Sequence, residues 1–110
     1  MTMREQSYYA LASLMDGPLH GYAIIRRAEE LSGGRVRMAA GTLYAALDRL
    51  STEGLVGVVD EEVVNGRARR YYDLTDAGVT ALRAEADRMV EAARVVTERP
   101  ARRLRAVKPA

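Results

Sequence analysis

The chain has 110 residues, with 17 Lys+Arg, 15 Asp+Glu, one histidine and no cysteine, a length that suits about one domain. With no cysteine there are no disulfides, thiolate ligands or thiol nucleophiles, and His20 alone cannot build a histidine-rich metal site. The formal charge of +2 is unevenly held: residues 1–98 carry 12 basic and 15 acidic side chains, whereas residues 99–110 carry five basic and no acidic ones. The basic balance therefore belongs to the last twelve residues, and any case for nucleic-acid binding rests on local patterns.

The first residues, MTMREQSYYA, contain no apolar leader region, and every apolar run is far too short to span a membrane. A cytoplasmic protein is expected. Thr2 and Glu5 have capping-box spacing, and Tyr8, Leu11, Leu14 and Met15 form a helical stripe. The stripe stops at Asp16-Gly17-Pro18, which favours a turn. Residues 20–31 predict a second helix with Ile24, Ala28 and Leu31 on one face, ended by Ser32-Gly33-Gly34. Arg35 to Met38 alternates, as a small strand or an extended connector would. A third helix is predicted from about Gly41 to Glu53, burying Leu43, Leu47 and Leu50, with Gly54 just past its end.

The period changes at Leu55. LVGVVDEEVV and RARRYYDL flank Asn65-Gly66, a strong hairpin turn. A two-residue turn sets Glu62 opposite Arg69 and Glu61 opposite Arg70, pairing unlike charges across the ladder. Tyr71 and Tyr72 then point to opposite faces, one of them inward. Thr75 is placed to cap a last helix with Asp76 in its first turn. Val79, Leu82, Ala86, Met89, Ala93 and Val96 recur at heptad-like spacing, and Val90 and Ala92 widen the stripe. Pro100 ends regular helix.

The expected fold is mainly α with a two-stranded β wing, a winged helix-turn-helix with an additional long C-terminal helix. Residues 1–74 form the DNA-binding domain, with the first helix also at a subunit interface. Residues 75–98 form the dimerisation helix and residues 99–110 a basic, disordered tail. The third helix is the expected reader of the DNA major groove, through Thr42, Tyr44 and Ala45, with Arg49 reaching phosphate. In the wing, Arg67 has no assigned carboxylate opposite, so it leads Arg69 and Arg70 as a DNA contact. Thr42 reads equally as a plain helix cap, Tyr44 as a packed surface aromatic, and Arg69 and Arg70 as neutralisers of Glu62 and Glu61. His20 is read as structural or capping. No catalytic, metal or phosphate-loop constellation stands out, so neither an enzyme nor a cofactor is expected.

The terminal seam exceeds what one small core can cover. Burial against a second copy is expected, through Val79, Leu82, Ala86, Met89, Ala93 and Val96 with Tyr8, Leu11 and Met15 of the first helix; the alternative is packing of the terminal helix across its own domain, which leaves a monomer. A homodimer would present two reading helices to a pseudo-palindromic operator in double-stranded DNA. The competing interpretation is a protein-interaction module that dimerises through its C-terminal helix and does not bind DNA. The tail is either a solubilising end or an arm attracted to phosphate.

The segments YYALASLMDGPLHGYAI, GTLYAALDRLSTEGLV and GRARRYYDLTDAGVTALRAE resemble the PadR-like transcriptional regulators, over residues 8–86. The resemblance implies a winged helix-turn-helix repressor that dimerises through its terminal helix, often with the first helix alongside. It assigns Thr42 and Tyr44 to the reading helix and Arg67, Arg69 and Arg70 to the wing. Gly21 and Tyr22 fall at the start of the second helix, and Gly54 at the end of the third. It further implies release by a small aromatic or drug-like effector. The family's wing commonly reads Gly-Arg-Pro-Arg, whereas this chain has Gly66-Arg67-Ala68-Arg69, a less preordered wing. Some relatives stack ligands on a tryptophan of the terminal helix, and this chain has none, which leaves Tyr8, Tyr9 and Met89 as the expected effector contacts.

Overall fold

Three short helices, a hairpin and a long helix follow one another in the computed structural model, which describes residues 3–110. The elements are α1 (Glu5–Ala12), β1 (Leu19–His20), α2 (Gly21–Leu31), α3 (Ala40–Thr52), β2 (Val56–Val64), β3 (Arg67–Leu74) and α4 (Asp76–Thr97). The arrangement is that of a winged helix-turn-helix with an extra C-terminal helix. Helix α1 begins after Arg4, whose side chain makes no capping bond, and the predicted capping partner Thr2 lies outside the described residues.

The core forms where α1, α2 and α3 meet. Leu11, Leu14, Ile24, Leu43 and Leu47 are fully buried there, each contributing about 1.5–3 kcal/mol by leaving water. The stretch from Arg35 to Met38 is an extended connector rather than a strand, and it brings Val36 and Met38 into the same core. Leu31 does not join Ile24 and Ala28. It is the last residue of α2, 40% exposed, and the chain turns away at Gly33 and Gly34. Leu11 and Leu82, expected at a subunit contact, are also corrected by the fold: both are consumed by the protomer's own core and are not available to a partner.

The sheet has the order β1-β3-β2, so the wing hairpin carries a third, two-residue strand that sequence periodicity could not reveal. The hairpin register is the predicted one, Glu62 facing Arg69 and Glu61 facing Arg70. Asn65 and Gly66 make this possible, because both adopt positive φ (52° and 76°), which matches the twist of a two-residue turn. A register shift between Val58 and Asp60 was not anticipated; an extra residue at Val59 bends β2 just before the acidic run. Tyr72 is the inward tyrosine, while Tyr71 lies on the other face and donates its hydroxyl to Glu62 at 2.5 Å.

Helix α4 is capped as predicted: Thr75 Oγ1 accepts from Gly78 N–H at 3.0 Å. Its first half packs on α1 and β3 through Leu82 and the buried carboxylate of Glu85. Glu85 accepts from Arg88 and from the Met3 amide, at 2.9 and 3.2 Å, and the Arg88 guanidinium holds its carboxyl below the usual range. From Asp87 onward every residue of α4 is exposed, and the helix runs out along a molecule 66 Å long and 28 Å wide.

Candidate nucleic-acid interface

Helix α3 starts on Ala39, whose side chain cannot cap it. The donors of its first turn are therefore left for another acceptor, as phosphate-binding helix starts require. Thr42 lies inside the helix and is exposed, so its hydroxyl is not a cap. Ala45 and Asp48 continue the exposed side, while Leu43, Ala46, Leu47 and Leu50 hold the other side to the core.

Tyr44 is 43% exposed and leans over the start of α2. Its ring occupies the place of a side chain at Gly21: a Cβ there would overlap the Tyr44 hydroxyl and stand 2.9 Å from Cζ. Glycine at position 21 thus sets where this tyrosine lies.

Tyr44, Asp48, Arg67, Arg69, Arg70 and Tyr72 line a groove of about 880 Å³ between α3, the start of α2 and the wing, together with His20, Gly21, Tyr22, Val64, Asn65 and Ala68. Arg69 meets Glu62 at 3.8 Å and Arg70 meets Glu61 at 3.5 Å, both partly exposed. Such pairs contribute about 0–1 kcal/mol, little enough for a phosphate to compete for either guanidinium. Arg67 forms no ion pair among the described residues and stands exposed at the tip.

Two placements differ from the sequence expectation. Arg49 is not in this groove. It donates to Ser7 Oγ at 2.6 Å and lines a second groove of about 570 Å³ between α1, α3 and α4. One helical turn past Tyr44, Asp48 brings a carboxylate into the wing groove that sequence reasoning passed over; its i+4 spacing from Tyr44 was the available signal.

His20 supplies the capping role expected of it. Its Nδ1 accepts from Ala23 N–H at 3.4 Å, and its ring meets Tyr71 edge-on, 5.7 Å between centroids. Burial lowers its pKa below 6.5, and the charges of Arg69 and Arg26 act in the same direction, against Glu62. A proton on Nδ1 would remove the acceptor. The stabilisation from His20 is therefore full above about pH 6.5 and is lost as pH falls through the lowered folded-state value. His20→Asn, which caps without titrating, should show a flatter denaturation midpoint between pH 7 and about 5.5 than the native chain. Equal slopes would exclude this role.

The proposed subunit contacts lie away from the groove. Met15, Met89 and Val96 are exposed at 44%, 38% and 73%, Ala93 is exposed, and Val79 and Ala86 are half-buried. Tyr8 and Tyr9 pack edge to face, with 5.3 Å between ring centroids, and neither they nor Met89 line either groove. No helix is long and apolar enough to cross a membrane, and no metal-holding cluster of acidic and histidine side chains occurs among the described residues.

A short three-helix core, a wing folded beside the third helix and a positively charged groove between them define a winged helix-turn-helix regulator. Residues 10–84 match the transcriptional regulator PadR-like family, and the chain belongs to that family. Membership makes it a DNA-binding transcriptional regulator rather than an enzyme. It is 42% identical over 81 residues to a transcriptional regulator of Mycobacterium tuberculosis, covering 74% of this chain and 72% of that protein. It is also 42% identical over 89 residues to a 37.1 kDa protein in a transposon of Streptomyces fradiae, covering 81% of this chain but only 24% of the relative's length. The fold matches the crystal structure of a PadR family transcription regulator from Clostridium difficile with TM-score 0.71, 21% identical and covering 86% of this chain and 97% of that one, and that of Bacillus subtilis PadR in complex with operator DNA with TM-score 0.65. That match is 24% identical and covers 96% of this chain and 55% of the other.

Proposed function

We propose that the chain acts as a homodimeric repressor that binds a pseudo-palindromic operator and is released by a small-molecule effector. The observation that carries the DNA side of this reading is the groove between α3 and the wing, lined by Tyr44 and by Arg67, which forms no ion pair among the described residues. Thr42, Tyr44 and Ala45 would meet base edges and phosphate in the major groove. Arg67, with Arg69 and Arg70 behind it, would grip flanking phosphate or the minor groove. The operator complex of the Bacillus subtilis relative supports the same use of the fold.

Dimerisation is supported by the outer half of α4. Met89, Val90, Ala93 and Val96 leave apolar surface exposed to water in the protomer, and Met15 of α1 is exposed as well. A second copy removes that surface from water. Two reading helices held by one α4 pair would be sensitive to its geometry, so an effector at the pair that changed their spacing would cost contacts in both half-sites. Tyr8, Tyr9 and Met89 are the proposed contacts for that effector.

Selection of bound duplexes from a random pool by the purified protein tests both claims. Two enriched half-sites of inverted symmetry, about one helical turn apart, are expected. No enrichment would favour an interaction module that does not read DNA, and a single asymmetric site would remove the dimer. Titration of the operator complex with a broad chemical panel tests the effector; a complex that no compound releases would exclude it.

A further inference from the structure

We infer that residues 99–110 are a second DNA-contacting element, a basic irregular segment that supplies sequence-independent attraction to the phosphate backbone while the wing groove reads sequence. The inference rests on the DNA-binding reading above and adds to it a surface that the groove does not contain. The body of the molecule, residues 1–98, is net negative, with 12 cations against 15 anions, so its overall field opposes approach to DNA. Its cations are also largely committed. Seven of its 12 arginines are in ion pairs, including Arg94 at the end of α4, which meets Glu91 at 2.8 Å and Glu98 at 3.5 Å.

The segment beyond Glu98 is the reverse. Arg99, Arg102, Arg103, Arg105 and Lys108 have no acidic residue among them and form no ion pair among the described residues. Every residue from 99 to 110 is exposed, without helix or strand, and Pro100 prevents α4 from continuing through it. Twelve extended residues reach roughly 40 Å from the end of α4. That reach allows contact with duplex flanking a site held by the reading helices. Leu104 and Val107, at 76% and 87% exposed, are the only large apolar side chains of the segment, too few to insert into a bilayer against five cations. Phosphate of the DNA that the rest of the fold binds is the partner this chemistry fits.

Two variants of the full chain test this: a triple variant R102S/R103S/R105S, and a chain ending at Glu98. The logarithm of the association constant for a random-sequence duplex is followed against the logarithm of salt concentration. Each phosphate neutralised contributes about 0.9 to the slope, so the triple variant, losing six cations per dimer, should lose between about 2 and 5 units. Each unit lost corresponds to about tenfold weaker binding at 0.1 M salt if the 1 M intercept is unchanged. The half-sites selected by the variants should stay those of the native chain. Unchanged slopes overturn the inference, as does binding of the native segment to phosphatidylglycerol vesicles without any effect on the DNA slope. Loss of the dimer in the triple variant, seen as halved mass by sedimentation, would make the segment a subunit contact and overturn it too. A native chain that binds no duplex at all would instead sink the DNA reading itself.

Discussion

Gly78→Ala is expected to lower the melting temperature by about 10 °C, the largest stability effect anticipated from a single methyl group in this molecule. Gly78 lies in the first turn of α4, pressed against the chain where it enters β2. A Cβ there would overlap the Leu55 carbonyl oxygen and stand 3.0 Å from its carbon and 3.2 Å from Leu74 Cδ2. The obstacle is backbone, so no rotamer change relieves it. That backbone is also tied down: Leu55 O accepts from Thr75 N–H at 3.1 Å, and Thr75 Oγ1 donates to Gly54 O at 2.6 Å. Overpacking of this kind costs about 3 kcal/mol, against roughly 1 kcal/mol gained from alanine's better helix propensity. The clash wins by about 2 kcal/mol, and roughly 5 °C per kcal/mol for a domain of this size gives the shift. Gly41→Ala provides the contrast: it too is helical, nothing lies within 4 Å of its Cβ position, and it should be neutral or slightly stabilising. A Gly78→Ala protein that melts with the native one would show that α4 can move off β2 freely.

Arg67→Ala is expected to weaken operator binding about 100-fold with the melting temperature and the oligomeric state unchanged. The side chain is exposed at the wing tip and holds no carboxylate among the described residues, so its removal leaves no buried group unpaired. One charge-assisted contact to phosphate or groove edge contributes about 1.5 kcal/mol, and the proposed dimer would lose two. The salt slope should fall by about 2 units, one for each wing. Arg69→Ala and Arg70→Ala should lose less affinity and some wing order, because each also neutralises a carboxylate across the ladder, at 3.8 and 3.5 Å. Measurement by fluorescence anisotropy on the selected operator, over a salt series, separates these outcomes. An Arg67→Ala protein with native affinity would remove the wing tip from the interface.

The two effects show different dependence on what is near in sequence. The wing was legible because its determinants are local: a period-2 run, a turn with two residues able to take positive φ, and opposed charges that agree on one register. The second, third and fourth helices were legible from their stripes and stops within a residue or two at each end, whereas α1 ends at Ala12, three residues short of the Met15 that closes its stripe. Strand β1 was not, because two residues carry no period, and it exists only by pairing Leu19 and His20 with Tyr72 and Tyr71 across the fold. The bulge at Val59 belongs to the same class, since it is a mismatch between two strands and not a property of one.

The candidate site divides likewise. Residue types and spacing were enough to nominate Thr42, Tyr44 and Arg67, and the charge arithmetic was enough to separate an acidic body from a basic segment at 99–110. Only the tertiary structure decided which arginines are uncommitted, turning Arg49 to Ser7 and leaving Arg67 in the open. It also decided that Leu11 and Leu82 close the protomer's core, which shifts the exposed apolar surface to Met15 and the outer half of α4. The physical reason is that a helix stripe records how much apolar surface must be covered, and says nothing about what covers it. Sequence by itself therefore determined the helices, the wing hairpin with its register, and the sign of charge along the chain. Packing between distant residues decided which side chains stay exposed and uncommitted beside the wing groove.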